Sequence, residues 1–189
     1  MREREDVEHH CALERIVTAT PWLLEVLAAA RSCGLPNSYL AAGAIRNTVW
    51  DFLHGRSSAG PSGDVDVVYF DPCDAATSAE SALRAAFPRY RWEVTNQAVI
   101  HQWQSVDAGR AISPYSSLAA ALASWPETAT AVAIRLTESG ALEFVAPFGL
   151  TDLFGLKLRA NPGASNPAAF NERCQEKQWL RQWPKLRVL

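Results

Sequence analysis

Hydrophobic residues along the chain recur at two spacings, one typical of helices and the other typical of strands. Ile45, Val49 and Leu53 fall on one apolar stripe and predict a helix in that region. A loop rich in Gly, Ser and Pro follows over residues 55–63, and an apolar strand is predicted over residues 64–70. Further strands are predicted over residues 39–42, 91–95, 129–136 and 141–146. This order of elements indicates an α/β (α+β) fold, with a mixed and mainly antiparallel sheet flanked by helices.

The first third of the chain contains clear helix boundaries. Residues 1–6 are mostly charged and are expected to fray. Thr20 followed by Pro21 predicts the start of a helix, and Gly34 predicts its end. Residues 77–80 match a capping box, which predicts the start of another helix.

The C-terminal part is predicted as a linker over residues 161–167 and a final helix over residues 166–183. We therefore expect one domain over residues 1–160. The linker and helix of residues 161–189 are expected to pack on that same domain. Three basic residues of the final helix are assigned to a solvated face, with phosphate or nucleic-acid contact as the alternative: Arg173, Lys177 and Arg181.

Composition limits the class of protein. The 189 residues are 48% hydrophobic, which suits one well-packed domain. A net charge of −2 gives no overall attraction for nucleic acid. The four cysteines are far apart and lack metal-ligand spacing. No apolar run approaches the ~20 residues of a membrane span, and the charged start is unlike a signal peptide. We expect a soluble cytoplasmic protein.

Two acidic residues open the predicted strand over residues 64–70. Asp64 and Asp66 are separated by one valine, and alternate strand residues point to the same face. Bringing two carboxylates together is costly because they repel each other and lose hydration. A hard divalent cation offsets that cost. The pair therefore predicts a site for Mg²⁺, or for Mn²⁺ in its place.

A turn of small residues lies upstream of this pair. Gly43 has no Cβ, so a phosphate group can approach the backbone closely. The helix that follows directs its free N–H groups and its positive dipole end towards the same place. A phosphate site beside a carboxylate pair is suited to a metal-bound nucleoside triphosphate.

These stretches also resemble a known superfamily. The residues concerned are Ala42-Gly43-Ala44-Ile45-Arg46-Asn47, Leu53-His54-Gly55 and Asp64-Val65-Asp66-Val67. Together they are similar to the head-domain signature of the DNA polymerase β-like nucleotidyltransferases. In the tRNA-end-adding and poly(A)-adding members this signature is roughly Gly-Gly-x-Val-Arg-Asp, Leu-x-Gly and Asp-hydrophobic-Asp.

A longer resemblance, to a small bacterial nucleotidyltransferase family of this superfamily, extends over most of the chain. It includes the stretches Trp92-Glu93-Val94-Thr95-Asn96-Gln97-Ala98, Trp125-Pro126-Glu127-Thr128-Ala129-Thr130-Ala131-Val132 and Ala146-Pro147-Phe148-Gly149-Leu150-Thr151-Asp152-Leu153-Phe154. The resemblance implies a polymerase β-like nucleotidyltransferase fold and transfer of a nucleoside monophosphate from a nucleoside triphosphate, such as ATP, to a hydroxyl acceptor.

The resemblance also implies roles for individual residues. Two Mg²⁺ ions, about 4 Å apart, would be held by Asp64, Asp66 and Glu93. Glu93 lies on a strand that follows an intervening helix, which matches the order of the third carboxylate in these enzymes. Glu127 is the reserve candidate for this third carboxylate, and Glu143 ranks behind it.

The turn itself is assigned to the nucleotide. The backbone amides of Gly43 and Ala44 would hold the β- and γ-phosphates. Arg46 would reach the triphosphate or clamp an active-site acid; the alternative is that it pairs with a carboxylate to stabilise the fold. Asn47 stands where the superfamily often has aspartate, and Ala42 replaces the usual first glycine.

The acceptor and the activity itself stay open. The chain lacks the large helical body with which tRNA-end-adding members hold RNA, so a small molecule or a protein suits as an acceptor as well as RNA. One alternative is a non-catalytic nucleotide-binding module that retains the fold. A sugar-nucleotide transferase that uses the Asp-x-Asp pair is another, and a protein-interaction module that uses its tryptophans is a third.

Overall fold

The computed structural model describes residues 2–73 and 78–189, and a mixed sheet lies at its centre. Five strands form this sheet in the order β3-β2-β1-β4-β5. They are β1 (Tyr39–Ala41), β2 (Val65–Tyr69), β3 (Trp92–Asn96), β4 (Ala133–Leu136) and β5 (Leu142–Val145). β2 and β3 pair in parallel, and the other neighbours pair antiparallel. The predicted α+β class with a mainly antiparallel sheet is confirmed.

Helices flank this sheet. In chain order they are α1 (Arg2–Thr18), α2 (Pro21–Ser32), α3 (Gly43–Leu53), α4 (Ala79–Ala86), α5 (Ile100–Ala108), α6 (Leu118–Leu122), α7 (Thr151–Phe154), α8 (Ala169–Lys177) and α9 (Trp179–Gln182). Two short parallel strands, β6 (Lys157–Leu158) and β7 (Arg187–Val188), form a second sheet. No helix among the described residues is long and apolar enough to span a membrane.

The sheet separates two apolar clusters. Val65 and Val67 point into the larger cluster, which α1, α2 and α3 cover. Val68 points to the opposite face, where it packs with Leu118 and Leu122 of α6. Because side chains alternate along β2, Asp66 lies on the same face as Val68. The apolar cover therefore ends where the acidic residues begin.

The charged N-terminus differs from its prediction. Residues 2–6, expected to fray, belong to α1, whose Leu13, Ile16 and Val17 are buried in the larger cluster. Burial of this downstream stripe stabilises the whole helix, because helix stability in proteins comes mainly from tertiary packing. The capping box assigned to residues 77–80 begins at Thr77, which lies outside the described residues; α4 begins at Ala79.

The C-terminal helix also differs from its prediction. The expected single helix is divided into α8 and α9 at Gln178, whose φ of 48° is left-handed. Past this break, Trp179 and Trp183 pack edge-to-face on Trp50 of α3. The indole of Trp183 donates a hydrogen bond of 2.8 Å to Asp51 Oδ1. Trp179 and Trp183 are four residues apart and so lie on one face of the second segment. The break at Gln178 turns that face towards Trp50.

Candidate active site

The acidic residues meet at one end of the parallel strand pair. Asp66, the second residue of β2, is the direct register partner of Glu93 on β3. In parallel strands such partners point to the same face. Asp64 precedes β2 by one residue, and Arg91 Nη2 lies 3.0 Å from its Oδ1. The fold therefore places Glu93 beside Asp66, and the role of these acids as metal ligands stays a prediction.

Asp66 lies in an environment that disfavours its charge. Burial, and then the negative charges of Glu93 and Asp64, raise the pKa of Asp66 to about 7. Arg46 and Arg173 oppose this rise from a distance without reversing it. A carboxyl with two acidic neighbours and no hydrogen-bonded cation is held in a state that a bound cation would relieve.

The acidic residues do not form a finished ligand set in this arrangement. Among residues 2–73 and 78–189, no group of three or more Asp, Glu, His or Cys side chains is positioned to hold a metal ion. The Asp64 carboxylate forms an ion pair with Arg91, whose side chain is 80% exposed. Exposed pairs of this kind are weak. For Asp64 to become a metal ligand, its carboxylate would have to leave Arg91, and this costs little because the pair is exposed.

The small-residue turn lies next to these acids. Ala41 is the register partner of Asp66 on the neighbouring strand β1. Ala42 then adopts φ 55° and ψ −125°, a conformation that favours glycine and strains an alanine. This backbone conformation turns the chain sharply after β1. Helix α3 therefore begins at Gly43, close to Asp66.

The N-terminus of α3 has no side-chain cap. The first amides of a helix lack intrahelical partners and attract anions. A Cβ at Gly43 would lie 3.7 Å from Asn47 Nδ2 and 3.9 Å from Arg46 Nη2. The open space above Gly43 is therefore bordered by hydrogen-bond donors, which suits a phosphate group.

Arg46 is buried and takes part in two kinds of contact. Its Nη1 donates to Thr130 Oγ1 at 2.7 Å, and its Nε and Nη2 donate to Asn47 Oδ1. The guanidinium also lies over the rings of Trp50 and Trp179, 5.0 and 4.5 Å from their centroids. It has no direct carboxylate partner among the described residues, so neither a clamp on an active-site acid nor a structural ion pair is present.

Asn47 joins the turn to the loop over residues 55–63. Its Nδ2 donates to Ser62 Oγ at 2.7 Å, while its Oδ1 accepts from Arg46. An aspartate at this position has no such donor. Trp22 Nε1 donates to Ser58 O and so holds the middle of the same loop. The amide that replaces the superfamily's aspartate thus connects Arg46 with the rim of the cavity.

Glu127, the reserve candidate for the third carboxylate, is placed differently. It is fully buried, and Arg173 Nε lies 2.6 Å from its Oε1. The assignment of Arg173 to a solvated face is therefore wrong, because it compensates a buried charge 46 residues away. Glu143 lies on β5, where Tyr39 and Arg135 bind its carboxylate.

A cavity of about 410 Å³ joins these features. Its walls include the turn, the acidic residues and the C-terminal helices. Several lining residues were not assigned to the site from the sequence, among them Trp125, Pro126, Thr130, Arg173, Lys177, Trp179, Gln182 and Trp183. The four-residue spacing of Arg173 and Lys177 on one helix face is the signal that would have found two of them.

Comparison with known proteins agrees with this geometry. A family model described as Nucleotidyltransferase matches residues 28–188. A solution structure described as revealing a CCA-adding enzyme head domain has 31% sequence identity and a TM-score of 0.78, and the alignment covers 93% of this chain and 95% of that one.

Two further structures are described as tRNA-processing enzymes. They share 20% and 22% identity, with TM-scores of 0.48 and 0.45. The alignments cover 87% and 82% of this chain, but only 44% and 39% of those longer chains. No curated protein matches the chain. Because the family match extends over the turn, the acidic residues and both C-terminal helices, the chain belongs to the nucleotidyltransferase family.

Proposed function

We propose that the protein transfers a nucleoside monophosphate from a nucleoside triphosphate to a hydroxyl acceptor. One observation carries the proposal. Asp66 and Glu93 are register partners next to the uncapped start of α3, and the two acids and this helix start line the same cavity. Acids that need a cation and free amides that attract phosphate are the two halves of a site for a metal-bound triphosphate.

The proposed metal is Mg²⁺, or Mn²⁺ in its place. The residues present fit it in their donor chemistry, and the ligand set requires that Asp64 leave its ion pair with Arg91. Asp64, Asp66 and Glu93 supply the carboxylate oxygens that such ions prefer. Burial of Asp66, and then the charges of Glu93 and Asp64, raise the pKa of Asp66, and a bound cation would oppose that rise. When bound, the metal supplies neutralisation of the phosphates and a lower pKa for the acceptor hydroxyl. The exposed Arg91 releases Asp64 at little energetic cost.

The chain's own residues perform the remaining steps. The amides of Gly43 and Ala44 bind the β- and γ-phosphates and so orient the donor. Arg46 and Asn47 border the space above Gly43 and stabilise the negative charge of the phosphates bound there. The acceptor oxygen bonds to the α-phosphorus while the bond to the bridging oxygen breaks and pyrophosphate leaves. Glu93, which is exposed, takes the acceptor's proton on its carboxylate.

The acceptor class is open in this proposal. The similar protein described as a CCA-adding enzyme head domain favours a tRNA-like hydroxyl, whereas the net charge of −2 does not favour nucleic acid. ATP is the first donor to test. We place the reaction in the cytoplasm, because all four cysteines are free thiols.

The proposal is tested by calorimetric binding of each nucleoside triphosphate with Mg²⁺, together with pyrophosphate release in the presence of tRNA, protein and small hydroxyl acceptors. We expect Asp66→Asn to abolish release. Glu138→Gln, in an exposed turn, is the matched control and should behave like the intact protein. Equal pyrophosphate release by Asp66→Asn and the intact protein contradicts the proposal.

A second candidate is a non-catalytic nucleotide-binding module. The ion pair between Asp64 and Arg91 favours it, because one proposed metal ligand is held by a cation of the chain. Mg²⁺-dependent binding of a nucleoside triphosphate, with no transfer to any acceptor tested, would support this module.

A further inference from the structure

The C-terminal helices place cations on the wall of the cavity that the acidic residues also border. Arg173 and Lys177 are four residues apart on α8, so they lie on one helix face, and both line the cavity. We propose that these two residues form a polyphosphate subsite that binds the terminal phosphate of the donor nucleotide. This inference rests on the proposed function, and it assigns a role to the C-terminal segment within that site.

The two cations differ in how far the protein already compensates them. Nε and Nη2 of Arg173 face the Glu127 carboxylate. Its Nη1 makes no hydrogen bond to the described residues, and its side chain is 34% exposed. Arg173 therefore keeps one edge available to the cavity while the other edge is fixed by a buried acid.

Lys177 is uncompensated. Its ammonium makes no hydrogen bond or ion pair within the described part of the chain, and its side chain is exposed at the cavity. Arg46, the third cation of the lining, is already committed to Thr130 and Asn47. Lys177 is thus the lining cation best able to bind an added anion.

The left-handed break after Lys177 fixes this arrangement. Gln178 ends α8 and turns the chain, and Trp179 then packs under the guanidinium groups of Arg46 and Arg173, 4.5 and 5.7 Å from its ring centroid. Trp179 is almost fully buried, so it is a fixed platform. These contacts fix the end of α8 that carries Arg173 and Lys177, both of which line the cavity.

A structural role for Lys177 is the competing explanation. A lysine in the last turn of a helix stabilises it through the helix dipole. Such a role predicts a lower melting temperature for Lys177→Gln without ligand, and no difference between ligands. A phosphate role predicts a selective loss for ligands that carry a terminal phosphate.

The test uses the full chain and calorimetric titration, in Mg²⁺, with ATP, AMP and inorganic tripolyphosphate. We expect Lys177→Gln to weaken ATP and tripolyphosphate binding about tenfold, the size of one charge-assisted hydrogen bond, and to leave AMP binding unchanged. Lys177→Arg should restore most of the affinity because it keeps the charge. Arg181→Gln is the matched control, since Arg181 is exposed and outside the cavity lining, and among the described residues its side chain bonds only to Gln178.

The subsite is overturned if Lys177→Gln and the intact protein bind ATP and tripolyphosphate equally, if AMP binding falls by the same factor, or if the intact protein binds neither polyphosphate. The proposed reaction fails separately. Lys177-dependent tripolyphosphate binding without nucleotidyl transfer would keep the subsite and discard the reaction.

Discussion

Asp66 and Glu127 are two acids withdrawn from solvent, and their surroundings differ in the sign of the nearest charges. Glu127 is fully buried with Arg173 bound to its carboxylate. Asp66 has two acidic neighbours, Glu93 and Asp64, and no cation within hydrogen-bond distance among the described residues. The first acid is compensated by the chain itself, whereas the second is left for something that the chain does not supply.

This difference separates structure from function. A buried charge without a partner is expensive, and the protein removes that cost at Glu127 with an arginine from α8. It does not remove the cost at Asp66, although Arg46 lies close enough to affect its pKa. Unrelieved repulsion in a cavity is typical of a binding site that works with an added cation.

Removing Arg173 should have the largest effect on stability. Arg173→Met leaves the Glu127 charge buried and unpaired, and we expect a loss of about 3–5 kcal/mol in the free energy of unfolding. Urea unfolding measures it. Adding Glu127→Gln should restore most of the loss, and Arg4→Met, which breaks an exposed pair with Glu8, serves as the control. Equal losses for Arg173→Met and Arg4→Met would remove the contrast between the two acids.

Asp66→Asn should act in the opposite direction. Because the pKa of Asp66 is raised in the folded state, its ionised form destabilises the fold; this penalty is absent below the ordinary value of 3.8 and complete above about 7. At pH 8 without metal we expect the variant to be more stable by about 1–3 kcal/mol, and at pH 3 to be equal to the intact protein.

Mg²⁺ sharpens this second prediction. It should raise the melting temperature of the intact protein at pH 8 and leave that of Asp66→Asn nearly unchanged, because the variant lacks the charge that the ion compensates. Two results would contradict a cation site at Asp66. One is a melting temperature of the intact protein that neither Mg²⁺ nor Mn²⁺ changes, and the other is a loss of stability in Asp66→Asn at pH 8.

A substitution at Ala42 tests whether the backbone of the turn next to the acidic residues is strained. We expect Ala42→Gly to stabilise the protein by about 1 kcal/mol, because glycine adopts φ 55° and ψ −125° without steric cost and loses only part of that gain to unfolded-chain entropy. Ala44→Gly, two residues further on inside α3 and free of such strain, should destabilise it. Thermal unfolding distinguishes the two, and a loss of stability in both variants would show that Ala42 is unstrained.

The smallest effect is expected at Arg91. Its pair with Asp64 is largely exposed, so Arg91→Gln should change stability by less than about 0.5 kcal/mol. The variant should bind Mg²⁺ more tightly because Asp64 is released. A stability loss as large as that of Arg173→Met, or weaker Mg²⁺ binding, would mean that Arg91 supports the site instead of competing for it.

The sequence determined the parts of this site that depend on local order. The alternation of side chains along a strand aligns Asp64 and Asp66, and a small-residue turn before an apolar stripe predicts the start of α3. These features need only neighbouring residues. They led to the sheet class, which the structure confirms. The resemblance of the same stretches to known motifs led to the nucleotidyltransferase family, which the family match confirms. The role of the acidic pair stays a prediction.

Tertiary structure alone decided the other features of the site, because those features depend on pairings between residues that are distant in the sequence. Strand register brings Glu93 to Asp66, and chain folding brings Arg173 to Glu127, so that one glutamate faces the cavity and the other is compensated. Neither glutamate's neighbours in the sequence indicate which of these two environments it enters. The helix break at Gln178 was equally hidden, since a left-handed residue that is not glycine is held by the packing of Trp179 and Trp183 and not by its own preference.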